Sequence, residues 1–217
     1  MIVVSQIIDK MKADNEAKAS TLKSQWYFVR MSPDDFKTLF LEACRKELLN
    51  RNQDKEFVID EHNKHIMNQL YYYLSGSDKF EGDHYRGIFL AGSIGSGKTI
   101  IMNAFCTIIE AYTDRVFYRT HAKRLPSLIG SHEDGYFDKR PMFIDDIGRE
   151  PKEVNNYGTK ELPTVDLMSI RYDYGSLTFA TTNFNNDVLK QFYGEAIVDR
   201  FHEMFNYLIM KGPSRRK

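Results

Sequence analysis

The sequence predicts an α/β fold, a mostly parallel sheet flanked by helices, with a small helical extension in front. Three observations carry this expectation. From about residue 87 onward, short apolar runs alternate with helical segments, as a parallel sheet with crossover helices requires. A glycine-rich loop ending in Lys98-Thr99 joins the first apolar run to a helix. A later apolar run ends in two carboxylates, Asp145 and Asp146, and ligand sites of parallel sheets lie at the carboxyl ends of strands.

The 217 residues suit one domain, or one domain with a smaller N-terminal extension. Hydrophobic residues make up 42%, enough apolar material for a buried core. Basic and acidic residues number 30 each, so no global charge marks a strong nucleic-acid binder. Any DNA contact must come from a local patch. Lys123, Arg124, Lys139 and Arg140 could form one, although dispersed surface charge explains them equally well. Cys44 and Cys106 sit far apart in helical apolar patterns, as small buried side chains in a reducing compartment do. His62 and His65 lie one helical turn apart without further ligands, which favours solvent-facing positions over a metal site. Residues 1–11 lack the basic start and apolar core of a signal peptide. No run approaches the roughly 18 apolar residues of a membrane span. A soluble, cytoplasmic protein without membrane contact is expected.

In the extension, Val3, Val4, Ile7, Ile8 and Met11 recur at helical spacing and predict a short amphipathic helix. A polar stretch over 12–24 follows. Ser32 can then cap a second helix, with Pro33 in its first turn and Asp35 completing a capping-box pattern. Phe36, Phe40, Cys44 and Leu48 form its apolar stripe, which fades over 50–55. A third helical segment runs from about 61 to 74. Loop-like residues over 75–83 place the boundary near residue 80, with an extension over 1–80 as a candidate partner-binding region and a core over 81–217. In the core, strands are expected over 87–91, 116–118, 142–144, 177–181 and 207–210. Helices are expected over 98–112, 164–172, 186–193 and 195–204.

The strongest signal is Gly92-Ser93-Ile94-Gly95-Ser96-Gly97-Lys98-Thr99, which matches the P-loop pattern in full and leads into a helix at Ile100. Its glycines let the backbone turn its N–H groups inward on phosphate oxygens. The helix N-terminus adds partial positive charge. Lys98 supplies a full charge to the β- and γ-phosphates of a nucleotide such as ATP, and Thr99 offers a hydroxyl to its Mg2+. Gly-rich turns that merely join a strand to a helix seldom carry Lys-Thr at this offset.

Pro141-Met142-Phe143-Ile144-Asp145-Asp146 reads as an apolar strand with an acidic end. That end belongs beside the phosphate loop, where Asp145 can hold magnesium, often through water. Asp146 could orient or deprotonate the attacking water. The run over 177–181 leads to Asn183, which could hydrogen-bond that water or the γ-phosphate; a helix or turn cap is the plainer alternative.

Together these residues resemble the AAA+ family of P-loop ATPases, with Walker A at 92–99, Walker B at 144–146 and sensor 1 at Asn183. Asp145-Asp146-Ile147-Gly148, Arg171-Tyr172, Ala180-Thr181-Thr182-Asn183, Asp199-Arg200-Phe201 and Gly212-Pro213-Ser214-Arg215-Arg216 occur in an order similar to the DnaC/IstB group, the bacterial helicase loaders and transposase helper ATPases. The resemblance covers roughly residue 57 to the end. It implies a five-stranded parallel sheet with the sensor strand between the two Walker strands. It implies Arg200 as an arginine finger reaching the ATP of a neighbouring subunit, where spacing alone favours a surface pairing with Asp199 or Glu203. It places Arg216, or its neighbour Arg215, at the sensor 2 position; a basic tail is the alternative. Two departures stand out. Many AAA+ proteins have Glu at the place of Asp146, which implies slow hydrolysis here. There is also no room for a helical lid domain, an absence the DnaC/IstB group shares.

The resemblance thus implies an ATP-hydrolysing, Mg2+-dependent nucleotide switch that self-associates and acts on a DNA-bound partner. That partner would be a replicative helicase, with single-stranded DNA touching the core. The alternative is a transposase helper that forms filaments on double-stranded DNA. A small-molecule P-loop kinase is a third reading, but it would need neither Asn183 nor an inter-subunit arginine.

Overall fold

A computed structural model of the chain describes residues 28–156 and 159–215. The short helix expected over 1–11, the polar stretch behind it, and Arg216 lie outside them.

The first described helix, α1 (Pro33–Leu49), starts as its sequence dictates. Ser32 Oγ accepts the Asp35 amide at 3.1 Å and donates to the Asp35 carboxylate at 2.7 Å, with proline in the first turn. Phe36, Phe40, Cys44 and Leu48 are all buried. Helix α2 (Lys64–Ser75) begins later than the expected position near 61. The preceding residues are used in a turn: Asn63 Oδ1 accepts the Asp60 amide, Asp60 Oδ1 accepts the His62 amide, and Asn63 Nδ2 donates to Val58 O. Gly76, left-handed at φ 67°, ends α2. His62 and His65 each face a nearby carboxylate, Glu61 and Glu81. Both cysteines are buried and free, and burial pushes their thiols up.

The core then alternates strands and helices: β1 (Gly87–Gly92), α3 (Lys98–Tyr112), β2 (Tyr118–His121), α4 (Leu125–Ser131), β3 (Met142–Asp145), β4 (Val154–Asn156), β5 (Thr159–Glu161), α5 (Pro163–Asp173), β6 (Thr178–Thr182), α6 (Asn186–Tyr193), α7 (Glu195–Met204) and β7 (Phe205–Met210). Strands β2-β3-β6-β1-β7 form one five-stranded sheet in that order, with every pair parallel. The strand carrying the Thr-Thr-Asn segment therefore lies between the two motif strands, as the resemblance implies. Helices α3, α6 and α7 fall at the expected boundaries. The short antiparallel pair β4–β5 and the helix α4 were not expected. Pro126 and Gly130 sit inside that seven-residue helix and read as loop signals in the sequence.

Strand β2 also lies later than the apolar run over 116–118. Val116 is 75% exposed, whereas Phe117 turns inward and stacks on Phe179 at 4.9 Å. The strand itself, Tyr118-Arg119-Thr120-His121, is an edge strand with half-buried residues throughout. An edge strand has no need of an apolar run, so hydrophobicity alone points to the wrong residues.

Alternation along the strands builds a core on each face. Ile88, Leu90, Phe143, Phe179 and Leu208 join Phe36, Phe40, Tyr73, Ile101 and Phe105 from α1, α2 and α3. Phe89, Ile144, Ala180 and Phe205 join Leu167, Leu189, Val198 and Phe201 from α5, α6 and α7. Helices α1 and α2 thus share a core with α3, the helix that follows the phosphate loop.

Arg171 is fully buried at the end of α5. Its guanidinium donates to Leu177 O at 2.8 Å, Arg140 O at 3.1 Å, Thr178 Oγ1 at 2.9 Å and also Phe137 O. These acceptors precede or begin β3 and β6, so one side chain ties the amino ends of both strands to α5. Burial pushes this group down to about 9, and the Asp138 charge resists that shift.

Because α1 and α3 share one core, Phe40→Ala is expected to cost about 3–5 kcal/mol. The loss should shift one cooperative urea transition followed by circular dichroism; a separate early phase would mean that α1 unfolds on its own.

Candidate functional site

The carboxyl ends of β1, β3 and β6 meet at one edge of the sheet. Pairing sets Ala91 beside Thr182 and Ile144 beside Ala180. The residues just past these strands, Ser93, Asp146 and Asn183, are therefore neighbours although far apart in sequence.

The phosphate loop turns through Gly95 at φ 80° and Gly97 at φ 105°, conformations that L side chains rarely adopt. Lys98, 4% exposed, opens α3 and folds its ammonium back over the loop. Lys98 Nζ donates to Gly92 O at 2.9 Å, Ser93 O at 2.8 Å and Asn183 Oδ1 at 2.7 Å. Asn183 Nδ2 in turn donates to Asp146 Oδ1. Its two neighbours fix the amide's orientation, because an ammonium only donates and a carboxylate only accepts.

Asp145 accepts Thr99 Oγ1 at 2.8 Å and Thr181 Oγ1 at 2.6 Å on the same carboxylate oxygen. Thr181 is fully buried, and its hydroxyl also accepts the Asp146 amide at 2.9 Å. Asp146 stands at φ 59°, left-handed for a residue with a side chain. The surrounding bonds hold it there: Ile147 N donates to Thr181 O at 2.8 Å, and Thr182 Oγ1 donates to Ile147 O at 2.9 Å. A backbone held this way tends to mark a functional position. His121, at the end of β2, brings Nε2 within 3.6 Å of Asp146 Oδ2. Single oxygen or nitrogen atoms of His121, Asp145 and Asp146 lie within 4.8 Å of one another, close enough to share a metal ion.

A cleft of about 450 Å³ opens over this network. The loop lines one side through Ile94, Gly95, Gly97, Lys98, Thr99 and Ile100, with Asp146, Asn183 and Arg149 nearby. A further stretch of wall comes from Gln53, Lys55, Phe57 and Val58, together with Arg215. One feature fits a phosphorylated ligand with a divalent ion. The donor set of ammonium, loop amides, threonine hydroxyl and aspartate matches what a Mg-nucleotide needs.

Of the residues singled out in the sequence, Lys98, Thr99, Asp145, Asp146 and Asn183 come together here. Arg200 does not. It sits half-buried on α7 with its guanidinium 5.3 Å from the centre of the Tyr172 ring, and Tyr172 donates its hydroxyl to Glu203 at 2.6 Å. Arg216 lies outside the described residues, while Arg215 lines the cleft. The four basic residues do not form one patch. Lys139 and Arg140 lie over the rings of Tyr174 and Tyr136, and Lys123 and Arg124 are exposed beyond β2. Sequence reasoning missed His121, Thr181 as a shared anchor, and the wall over 53–58. His121 would have been found had β2 been placed by its partner strand rather than by hydrophobicity.

Neither a protein-family model nor a curated protein sequence matches the chain. Solved structures do match. The DnaC helicase loader aligns at TM-score 0.55 and 20% identity, over 73% of this chain and 95% of that one. DnaI aligns at TM-score 0.52 and 22% identity, over 75% and 88%. The chain has the AAA+ fold of the DnaC helicase loader. The replication initiator DnaA bound to AMPPCP and single-stranded DNA aligns at TM-score 0.54 and 14% identity, over 72% of this chain but 49% of that one. The chain thus spans about half the length of DnaA. Among the described residues, no helix follows β7 to form a lid, and no helix is long and apolar enough to cross a membrane.

Thr181→Val leaves the Asp146 amide without its acceptor and Asp145 with one donor fewer. A loss of about 1–3 kcal/mol is expected, while Thr181→Ser should stay close to wild type in the same denaturant titration. Equal stability of both variants would mean that this hydroxyl does not hold the acidic strand end.

Proposed function

We propose that this protein binds ATP with Mg2+ and hydrolyses it, as a AAA+ nucleotide switch that acts on a DNA-bound replication partner in the manner of a helicase loader. One observation carries the reading: Lys98, Thr99, Asp145, Asp146 and Asn183 form one connected hydrogen-bond network beside a cleft at the carboxyl ends of β1, β3 and β6. The likeness to DnaC and DnaI supports the helicase-loader branch over the transposition helper.

Each residue has a role that follows from its place. The loop over residues 92–99, continued by Ile100, cradles the phosphates with its amides. Lys98 neutralises them, exchanging its bonds to Gly92 O and Ser93 O for phosphate oxygens. Thr99 and Asp145 would hold Mg2+, which would supply positive charge beside the phosphates. Asp146 orients the attacking water and accepts its proton. Asn183 links this carboxylate to Lys98, so that base and phosphate clamp keep a fixed separation. Asp is one methylene shorter than Glu, which points to slow turnover. The sensor 2 role falls to Arg216 or its neighbour Arg215, of which Arg215 lines the cleft. Arg200 lies outside its own subunit's cleft, which fits action on a neighbour's ATP and so implies an oligomer or filament formed in ATP. Residues 1–80 are the candidate partner-binding region, and single-stranded DNA is the expected nucleic acid of this cytoplasmic protein.

Lys98→Ala is expected to abolish nucleotide binding, measured with a fluorescent ATP analogue; wild-type affinity would remove the assignment of the cleft. Arg200→Ala should leave binding nearly intact and lower hydrolysis, with arginine fingers elsewhere contributing about 10³–10⁵-fold. Mixing Arg200→Ala with Lys98→Ala subunits should restore part of the activity, and failure at every ratio would eliminate action between subunits. The reading as a whole is tested by ATPase assays with single- and double-stranded DNA and by pull-down of a hexameric helicase. Filaments on duplex DNA would favour the transposition helper, and phosphate transfer to a metabolite would favour a kinase.

A further inference from the structure

Residues 212–215 and the segment before α2 meet over the phosphate loop. Arg215 N donates to Gly95 O at 2.8 Å, and Ser93 Oγ donates to Gly212 O at 2.8 Å. These bonds pin the backbone of the tail to the loop. The Arg215 stem then runs above Gly97, where an added Cβ would lie 3.7 Å from Arg215 Cδ. At its tip the guanidinium turns to Asp60 and closes a two-pronged pair, with both N–O distances at 2.7 Å. Asp60 is held ready for it, since the same carboxylate accepts the His62 amide at 3.0 Å. The Arg215 guanidinium holds the Asp60 carboxyl below the usual carboxylate range. Lys55 adds a further tie by donating to Arg215 O at 3.2 Å.

Arg215 therefore carries one positive charge inside a cleft that has two claims on it. The Asp60 carboxylate holds it now. A bound phosphate chain would compete for the same fork, which matches carboxylate and phosphate geometry alike. The backbone of residue 215 is already fixed on the loop, so a turn of the side chain alone moves the guanidinium between them.

We propose that Asp60 competes with the nucleotide's phosphates for Arg215, so that nucleotide binding breaks the Asp60–Arg215 pair. The proposal rests on the reading of the cleft as an ATP site and adds its regulation. The pair lowers the fraction of molecules with Arg215 free to bind phosphate, and apparent affinity falls by that fraction. The pair is partly exposed, with 25% and 35% of the two side chains accessible, so the effect is modest.

The test is calorimetric titration of the full chain with a non-hydrolysable ATP analogue and Mg2+. Asp60→Asn keeps an acceptor for the His62 amide and removes the charge; it is expected to bind roughly fivefold tighter than wild type. Asp60→Ser serves if the Asn variant melts early. Arg215→Ala should bind more weakly, and adding Asp60→Asn to it should change nothing further. Unchanged or weaker binding by Asp60→Asn, with Lys98→Ala still abolishing binding, would overturn the competition while leaving the ATP site standing. Tightening that persists in the Arg215→Ala background would also overturn it, because the cause would then be a looser cleft wall. Wild-type binding by Lys98→Ala would remove the ATP reading itself, and the proposal with it.

Discussion

A buried ammonium needs acceptors on every side, and the fold around Lys98 is organised to supply them. Removing such a charge from water costs several kcal/mol unless bonds compensate. Two of its acceptors are carbonyls of its own loop, which requires the tight turn through Gly95 and Gly97. The third is Asn183, which requires β6 to lie directly beside β1. Asn183 passes the constraint to Asp146, which requires β3 on the far side of β6. Strand order and loop conformation are thus mutually dependent. A slip of one residue in the β3–β6 pairing would turn Thr181 away from Asp145 and leave both the carboxylate and the Asp146 amide short of a partner.

A second buried cation braces the same strands from the other end. Arg171 gathers acceptors from the segment before β3 and from the start of β6, while Lys98 gathers them where β1 and β6 finish. Its guanidinium is held by backbone carbonyls and the Thr178 hydroxyl. Such an arrangement is directional. Each carbonyl must point at one fork, and that fixes the twist and offset of β3 against β6 more narrowly than apolar packing does. The acidic strand end is therefore aimed from both ends of the strand that bears it.

Much of this was legible in the sequence because its signals are local. The capped α1, the phosphate loop, α3, α6 and α7 depend on short-range patterns of caps, glycines and helical periodicity, and all stand where those patterns put them. Asp145, Asp146 and Asn183 were legible because strand ends in parallel sheets carry function, so their position along a strand was informative. What depends on a neighbouring strand was not legible. Edge strand β2 carries Tyr-Arg-Thr-His, a stretch whose residues follow neither an apolar run nor a strict alternation. His121 was lost with it. Residues 50–55 read as the fading end of a helix, and nothing in Gln53 to Val58 announces that the chain folds back over a loop forty residues away. The pairing of Asp60 with Arg215 spans most of the chain and has no local trace at all.

The same contrast bears on how much of a hydrolytic site one subunit contains. On the proposed reading, the cleft holds a phosphate cradle, a metal-side carboxylate and a base. Residues 53–58 add a further stretch of its wall. Arg215, which lines the cleft, is engaged with Asp60, and Arg200 lies outside the cleft, above Tyr172. Binding and turnover then draw on different groups. Phosphate binding needs only the loop and, on the proposed reading, the release of Arg215. Turnover needs extra positive charge at the departing phosphate, which the subunit's own α7 does not direct there. On the proposed reading, sensing nucleotide and consuming it thus fall to different groups, and a second copy of the chain would supply the charge that the single subunit holds back.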